Sequence, residues 1–549
     1  MSLKGTVPIK QLFFNILKYS IFYSALWLAA GCSQLEQKAA TPDYRGSWIG
    51  TAEFEPFPEL IFLNMDSLAL AKMYYAEVDS FSVRDGQLKF TIDDARFKGT
   101  FTGSFSDSTL LKGTFKTTEG EFDASFIKLA DAGLQTVAEY TGFYQLAEDH
   151  VVEVAPYMLD FSLAPLMVLD YKTGKKRVAF PTGNGWFTAG DRMLSTWPQD
   201  FKVGFASNEG MLQMEWQEEK GSRLGGRMRD LQNKKDIVVN TRDGVELHGT
   251  ITWPETTGPW PLVVFTHSAG QRFRGNLLND FIKLLPYYGI ATLTYDKRGC
   301  GNSGGSYKAA TYPVLASDLA QVLEYASKLT QVDAENIGLL GIDQAGLVMP
   351  AAAAQSKHAS FMVNIAGSAL TMEQQEYEAC RLRMKADGFD EREIREALSY
   401  QKQMFAYLRG KEDSINLQNA SDRVAVTAWR NYVSSFDDKN VMDWWRRHYQ
   451  FSAVPWLQQL DIPQLVVYGE KDLVVPPDPN MAVMRRLLKH PESEIKVYPG
   501  ANHLMLLGEK RGDFQFTEIE GYPAGLFSDI HQWIGERTGL ANAPKMAGI

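Results

Sequence analysis

From Pro261 onward the chain alternates short, almost wholly apolar runs with amphipathic stretches, and few architectures accept that pattern. The runs are Leu262–Phe265, Ala291–Tyr295, Ile337–Leu340, Phe361–Ile365, Leu465–Tyr468 and Ile495–Tyr498. A strand that is apolar on both sides must be covered on both faces. Helices supply that cover when strand and helix alternate, which argues a parallel sheet. Just upstream, Ile237–Val239 and Val245–Gly249 flank Arg242-Asp243-Gly244, and Asp-Gly is a strong hairpin signal. Between the fourth and fifth runs lies a largely helical insertion, about 370–456, with helical patterns at Glu373–Met384 and Glu391–Leu408. An insertion at that point of the sheet is where a cap over an active site is commonly placed. The expectation for residues 236–540 is a doubly wound, mostly parallel α/β sheet with a helical cap.

Upstream the period changes from helical to strand-like. Residues 44–130 hold short alternating segments, among them Phe81–Val83, Leu88–Ile92, Phe97–Phe101 and Leu111–Phe115, with Gly-Thr-Phe recurring. Alternation marks half-buried strands, here of an antiparallel meander or small barrel. A second β segment, 137–232, contains Tyr140–Tyr144 and Phe201–Phe205. Neither segment shows a cluster of titratable residues, so both read as structural or ligand-positioning modules. One or two antiparallel β domains are therefore expected ahead of the α/β domain, and two or three domains suit 549 residues.

The N-terminus has the layout of a signal peptide. Lys4, Lys10 and Lys18 precede an apolar run, Ile21–Ala30, with no acid before Glu36. It ends Leu28-Ala29-Ala30-Gly31-Cys32, which resembles the bacterial lipobox, although Leu28 stands one place further from the cysteine than usual. The resemblance implies removal of residues 1–31, lipidation of Cys32 and a tether over 32–43. The chain would then sit in a bacterial envelope, membrane-attached through that lipid, at the outer membrane or facing the periplasm. Ser33 after Cys32, rather than an aspartate, permits outer-membrane sorting in some bacteria. A formal net charge of -10 argues against a nucleic-acid partner. Cys300 and Cys380 remain after processing, and an oxidising compartment allows them to pair without requiring it. No Cys/His cluster has metal-site spacing, and no cofactor is implied.

Chemistry concentrates in three loops that follow strands. The first reads Gly341-Ile342-Asp343-Gln344-Ala345-Gly346 and precedes an Ala-rich helix. A sharp strand-to-helix turn needs small residues beside its apex, here Gly341 and Ala345, and presents the apex residue, Asp343, at the mouth of a site. The second loop carries Asp472 and the third His503. All three lie at the C-terminal ends of strands, where ligands bind in parallel sheets.

From Asp236 to about Leu540 the chain resembles bacterial α/β-hydrolases of the esterase and serine aminopeptidase-like group. Tyr295-Asp296-Lys297-Arg298-Gly299-Cys300-Gly301-Asn302-Ser303 is similar to that family's Tyr-Asp-x-Arg-Gly-x-Gly-x-Ser turn. His267-Ser268-Ala269-Gly270 is similar to its His-Gly loop, with Ser268 in place of the first glycine. The β-rich region resembles the accessory segment some secreted members carry. The resemblance implies nucleophile, acid and histidine at Asp343, Asp472 and His503. It implies an oxyanion hole from the backbone of Gln344 and of Ser268 or Ala269, acting on a small-molecule substrate. Where the family has serine, this chain has Asp343.

Three readings stay open. The chain is a hydrolase of carboxylic-ester or related bonds with an altered apex. Or Asp343 is itself the nucleophile, as in epoxide hydrolase-like and haloalkane dehalogenase-like enzymes, with Tyr377, Tyr400 or Tyr407 of the cap as candidates to polarise an epoxide. Or the chain is a non-catalytic relative that binds a ligand. The sequence leaves the oligomeric state open.

Overall fold

The computed structural model describes residues 44–540, apart from 55–58, 68–69, 74–75, 94–97, 158–163, 209–210, 220, 231–232, 276 and 509–517. The signal-like segment, the tether and Cys32 lie outside the described residues.

Among the described residues, 46–128 form a closed antiparallel barrel of eight strands, and Gly46–Ala52 pairs with Glu121–Lys128 to close it. Burial alternates along its strands, for instance in Gln87–Asp93. The inward set includes Trp48, Phe90, Phe101, Phe115 and Phe126, all fully buried. Each withdraws an aromatic ring from water, worth roughly 1.5–3 kcal/mol. Stacked and edge-to-face contacts such as Phe90–Phe101, at 5.0 Å between centroids, fill the interior.

A second closed barrel of eight strands spans Gly142–Arg227. The β segment expected over 137–232 is corrected at its start, because Leu134–Tyr140 is a helix and the strand expected at Tyr140–Tyr144 begins at Gly142. The i, i+3 spacing of Leu134, Val137 and Tyr140 is helical. Val137 is buried in the barrel's core and Tyr140 stacks on Phe205 at 4.3 Å, so the helix packs against that core.

The C-terminal domain is built on one sheet. Its strands are β1 (Lys234–Asn240), β2 (Glu246–Thr252), β3 (Trp260–Thr266), β4 (Ala291–Tyr295), β5 (Val332–Ile342), β6 (Ala359–Ile365), β7 (Gln464–Gly469) and β8 (Glu494–Tyr498). The order is β1-β2-β4-β3-β5-β6-β7-β8. β2 pairs antiparallel with β1 and β4, and every other pairing is parallel. The Asp243-Gly244 turn joins β1 to β2, with Gly244 at φ 81°. Side chains alternate between two cores. Leu262, Val264, Leu339, Val466 and Tyr468 enter one, together with helices α1 (Tyr312–Ala326) and α2 (Ala345–Ser356). Val263, Phe265, Leu340, Val467 and Leu465 enter the other.

That second core also takes in Ile49 and Ile127 of the first barrel and Val151, Leu169 and Phe180 of the second. The barrels and the sheet thus share apolar packing. A buried polar group reinforces the junction. Asp280 accepts from Lys176 of the second barrel at 2.6 Å, from Lys283 at 2.9 Å and from the Tyr522 hydroxyl at 3.1 Å.

The insertion between β6 and β7 consists mainly of α3 (Met372–Ala386), α4 (Glu391–Leu408), α5 (Ser414–Val424) and α6 (Lys439–His448). Capping boxes begin α3, from Thr371 and Gln374, and α4, from Asp390 and Glu393. These helices have an apolar core of their own. Cys380 on α3 and Cys300 after β4 are both buried free thiols, so the admitted pairing does not form.

Candidate active site

The loops after β3, β4, β5, β7 and β8 converge at the C-terminal edge of the sheet. The apex after β5 holds Asp343 at φ 60°, a region L-residues rarely occupy without support. Its amide donates to Ile365 O at 2.9 Å, which fixes the turn. Gly341 is required because a Cβ there would lie 2.4 Å from Ala345 Cβ and 2.8 Å from Thr266 O. The turn leads into α2, whose first residues are fully buried.

Asp343, Asp472 and His503 come together. His503 Nδ1 lies 2.8 Å from Asp472 Oδ2, and Nε2 lies 3.5 Å from Asp343 Oδ1. The other oxygen of Asp472 accepts the amides of Val474 and Val475 at 2.8 and 2.7 Å. Asn502 Oδ1 accepts the amides of Leu504 and Leu506, shaping the turn that presents His503. The acid and histidine loops approach closely at Gly469, where a Cβ would fall 2.4 Å from both Ala501 O and Asn502 O.

The second oxygen of Asp343 is also held. Oδ2 accepts the amide of Ala269 at 2.9 Å. Of the residues expected to line an oxyanion hole, Ala269 therefore faces the apex, and the Gln344 amide also favours the ionised carboxyl. Ser268 plays another part. Its hydroxyl accepts from Arg272 Nε at 2.7 Å and its carbonyl from Lys297 Nζ at 3.2 Å.

The electrostatics follow from this packing. Burial alone would raise the Asp343 carboxyl, but His503 and the two amides outweigh it and hold it below the usual carboxylate range. Burial likewise opposes charge on His503. Asp472 beside it and Asp343 across from it prevail and push its pKa up to about 10. The resting site is an imidazolium between two carboxylates. His267 is different: burial and the nearby Lys297 pull it down to about 3, and its ring bonds the Tyr295 carbonyl as a neutral group.

The cap tyrosines do not reach this centre through their hydroxyls. Tyr377 donates to Glu373 at 2.6 Å, Tyr400 donates to Ser434 O at 3.4 Å, and Tyr407 packs on Phe436. All three belong to the cap's own core. The turn after β4 is structural over most of its length. Arg298 pairs with Asp318 and Asp243, tying the β1–β2 hairpin to α1, and Asp296 accepts the amides of Arg274 and Asn302 at 2.8 and 2.9 Å. Lys297 is the exception. It is 4% exposed and turned onto the elbow and the β3 loop. The rule that selected Asp472 and His503, position just past a strand, also fits Lys297. Among the described residues, no group of three or more His, Cys, Asp or Glu side chains is placed to hold a metal ion.

Residues 257–511, somewhat less than half of the chain, match the family model described as serine aminopeptidase, S33. Esterase EstD of Thermotoga maritima is 24% identical over 317 residues, covering 55% of this chain and 67% of that protein. An uncharacterized 31.7 kDa protein of Escherichia coli is 30% identical over 122 residues, covering 22% of this chain and 42% of that protein. Among solved structures, the alpha/beta hydrolase GrgF from Penicillium sp. sh18 is similar at 19% identity and a TM-score of 0.37, covering 56% of this chain and 99% of its own. A proline iminopeptidase from Mycobacterium smegmatis is similar at 16% identity and a TM-score of 0.36, covering 56% and 100%. The family match and the strand order place the C-terminal segment in the α/β-hydrolase superfamily, among hydrolases.

Proposed function

We propose that the chain is a hydrolase that works through a covalent ester of Asp343, acting on an electrophilic saturated carbon such as that of an epoxide or an alkyl halide. One observation carries this reading: the Asp343 carboxylate is split in function. Oδ2 rests on the Ala269 amide, while Oδ1 faces His503.

In the first step, Oδ1 forms a bond to the substrate carbon, and the leaving group departs with its electron pair. No base is needed, because the carboxylate is already ionised. Forming the ester removes the Asp343 charge. His503 then loses one of the two carboxylates that raise its pKa and gives up its proton, to the departing alkoxide of an epoxide or, for a halide, to solvent. In the second step, neutral His503 takes a proton from water, whose oxygen attacks the Asp343 carbonyl carbon. The negative charge develops on Oδ2, where the Ala269 amide already donates. Collapse expels the alkoxide, which takes its proton from His503 to give the alcohol. The acid left at Asp343 returns a proton to His503, and Asp472 stabilises each imidazolium so formed.

The same geometry weighs against direct attack on an ester carbonyl. The amide that would bind the substrate's oxyanion is already occupied by Asp343, and a second negative charge would build beside the first. The relative named an esterase keeps a carbonyl substrate in view, and Asp343→Ser separates the two cases. Freeing the Ala269 amide should raise p-nitrophenyl ester turnover by roughly 10²-fold, the order of one oxyanion donor. No gain in a folded variant argues against an intact hole. For the Asp343 ester, a single turnover in ¹⁸O water should leave label in the Asp343 carboxylate. Confirmed turnover with an unlabelled carboxylate ends the reading.

Cys32 and the apolar run before it support placing this site in the cell envelope. Cys32→Ala should move the chain out of the membrane fraction, and unchanged membrane association contradicts a lipid anchor.

A further inference from the structure

The Ala269 amide can serve Asp343 only if its loop is held, and the loop after β3 is irregular. Three acceptors from two separate segments meet one cation there. Lys297 Nζ donates to Ser268 O at 3.2 Å, to Gly270 O at 3.1 Å and to the Gln344 side chain. Ser268 and Gly270 bracket Ala269 in sequence, so the ammonium grips both carbonyls beside the working amide. Gln344 follows Asp343 and is the N-cap residue just ahead of α2. The cation also ties that end of the elbow to the loop.

We propose that Lys297 is the positioning residue of this site, a three-point clamp that fixes the Ala269 amide on the apex carboxylate. The inference rests on the reading above only in the role it gives Ala269. An ammonium has three N–H donors, and here each has an acceptor. A neutral amine has two donors and a lone pair, so one acceptor must be released. Lys297 is poised for that change. Burial pulls its pKa down to about 8, opposed by Cys300 of its own turn and Asp343 of the elbow and assisted by Arg272 of the β3 loop. His267 beside it stays neutral over the same range, with its pKa near 3. Arginine at this position would keep its charge at any working pH but present a planar fork.

The test is amide hydrogen exchange of peptides spanning 266–274 in the intact chain, expressed as protection and followed from pH 6 to 9. It needs no substrate. In the parent, protection at Ala269 should hold at neutral pH and fall as pH passes about 8. Lys297→Met should lose about tenfold in protection there, the order expected for one charge-assisted contact, with the rest of the sheet unchanged. Lys297→Arg should recover part of that protection and show no break near pH 8. Unchanged protection in a folded Lys297→Met variant, or a parent profile level through pH 8, overturns the proposal. The parent's profile decides the matter even if the methionine variant does not fold. An unlabelled Asp343 in the turnover experiment would sink the nucleophile and leave these exchange results standing, so the two failures are separable.

Discussion

At the scale of single residues, the site depends on charges confronted at short range. His503 gains its proton affinity from two carboxylates, and removing one must show. Asp343→Asn should lower the His503 pKa by at least about one unit, the order expected for loss of an opposite charge within ~4–6 Å. The histidine C–H resonances followed through a pH titration give the value, and an unmoved midpoint contradicts the ion pair. The sign for stability is fixed as well. A folded pKa of about 10 lies above the ordinary histidine value of 6.5. The stabilisation from this imidazolium is therefore complete below about pH 6.5 and is lost as pH rises toward 10. Asp343, Asp472 and His503 were legible because each follows an apolar run directly. The orientation of the Asp343 carboxylate was not, because it depends on the Ala269 amide, 74 residues earlier in the chain. Lys297 escaped for the same reason: its acceptors lie 27 to 47 residues away, and nothing local marks a lysine as buried.

At the scale of elements, the elbow works because Gly341 lets β5, α2 and β3 meet. Gly341→Ala would drive a methyl into Ala345 Cβ and Thr266 O. Overpacking of this kind costs about 1–3 kcal/mol. Urea unfolding should show a lower midpoint with an unchanged slope. An unshifted midpoint means the turn has slack that the close contacts deny. The sheet was readable because strands covered on both faces are apolar throughout, and the Asp243-Gly244 hairpin because its turn chemistry is local. The helix Leu134–Tyr140 is not legible in the sequence, because two turns give too few periods to stand out from a strand pattern. Alternation suits a closed barrel and an open meander alike, since closure depends on pairing the first strand with the last. That pairing, Trp48 with Lys128 for example, leaves no mark in the alternation itself.

At the scale of the whole molecule, the barrels are not loose appendages, for they share an apolar core with the sheet and a buried charge cluster about Asp280. Asp280→Asn strands the buried ammonium of Lys176, while Lys283 keeps Glu153 at 2.7 Å. Breaking such a group should cost about 3 kcal/mol or more. Fluorescence and circular dichroism should still report one coincident transition at a lower midpoint. Separate transitions for barrels and sheet would contradict the shared core. The purpose of the assembled chain turns on whether Asp343 attacks. The most direct measurement is the mass of the Asp343 peptide in the His503→Gln variant after exposure to an epoxide or alkyl halide that the parent hydrolyses. Without its histidine the site cannot cleave the ester, so the peptide should gain the mass of the alkyl group. Hydrolysis by the parent, with the Asp343 peptide unmodified in the variant, contradicts the account.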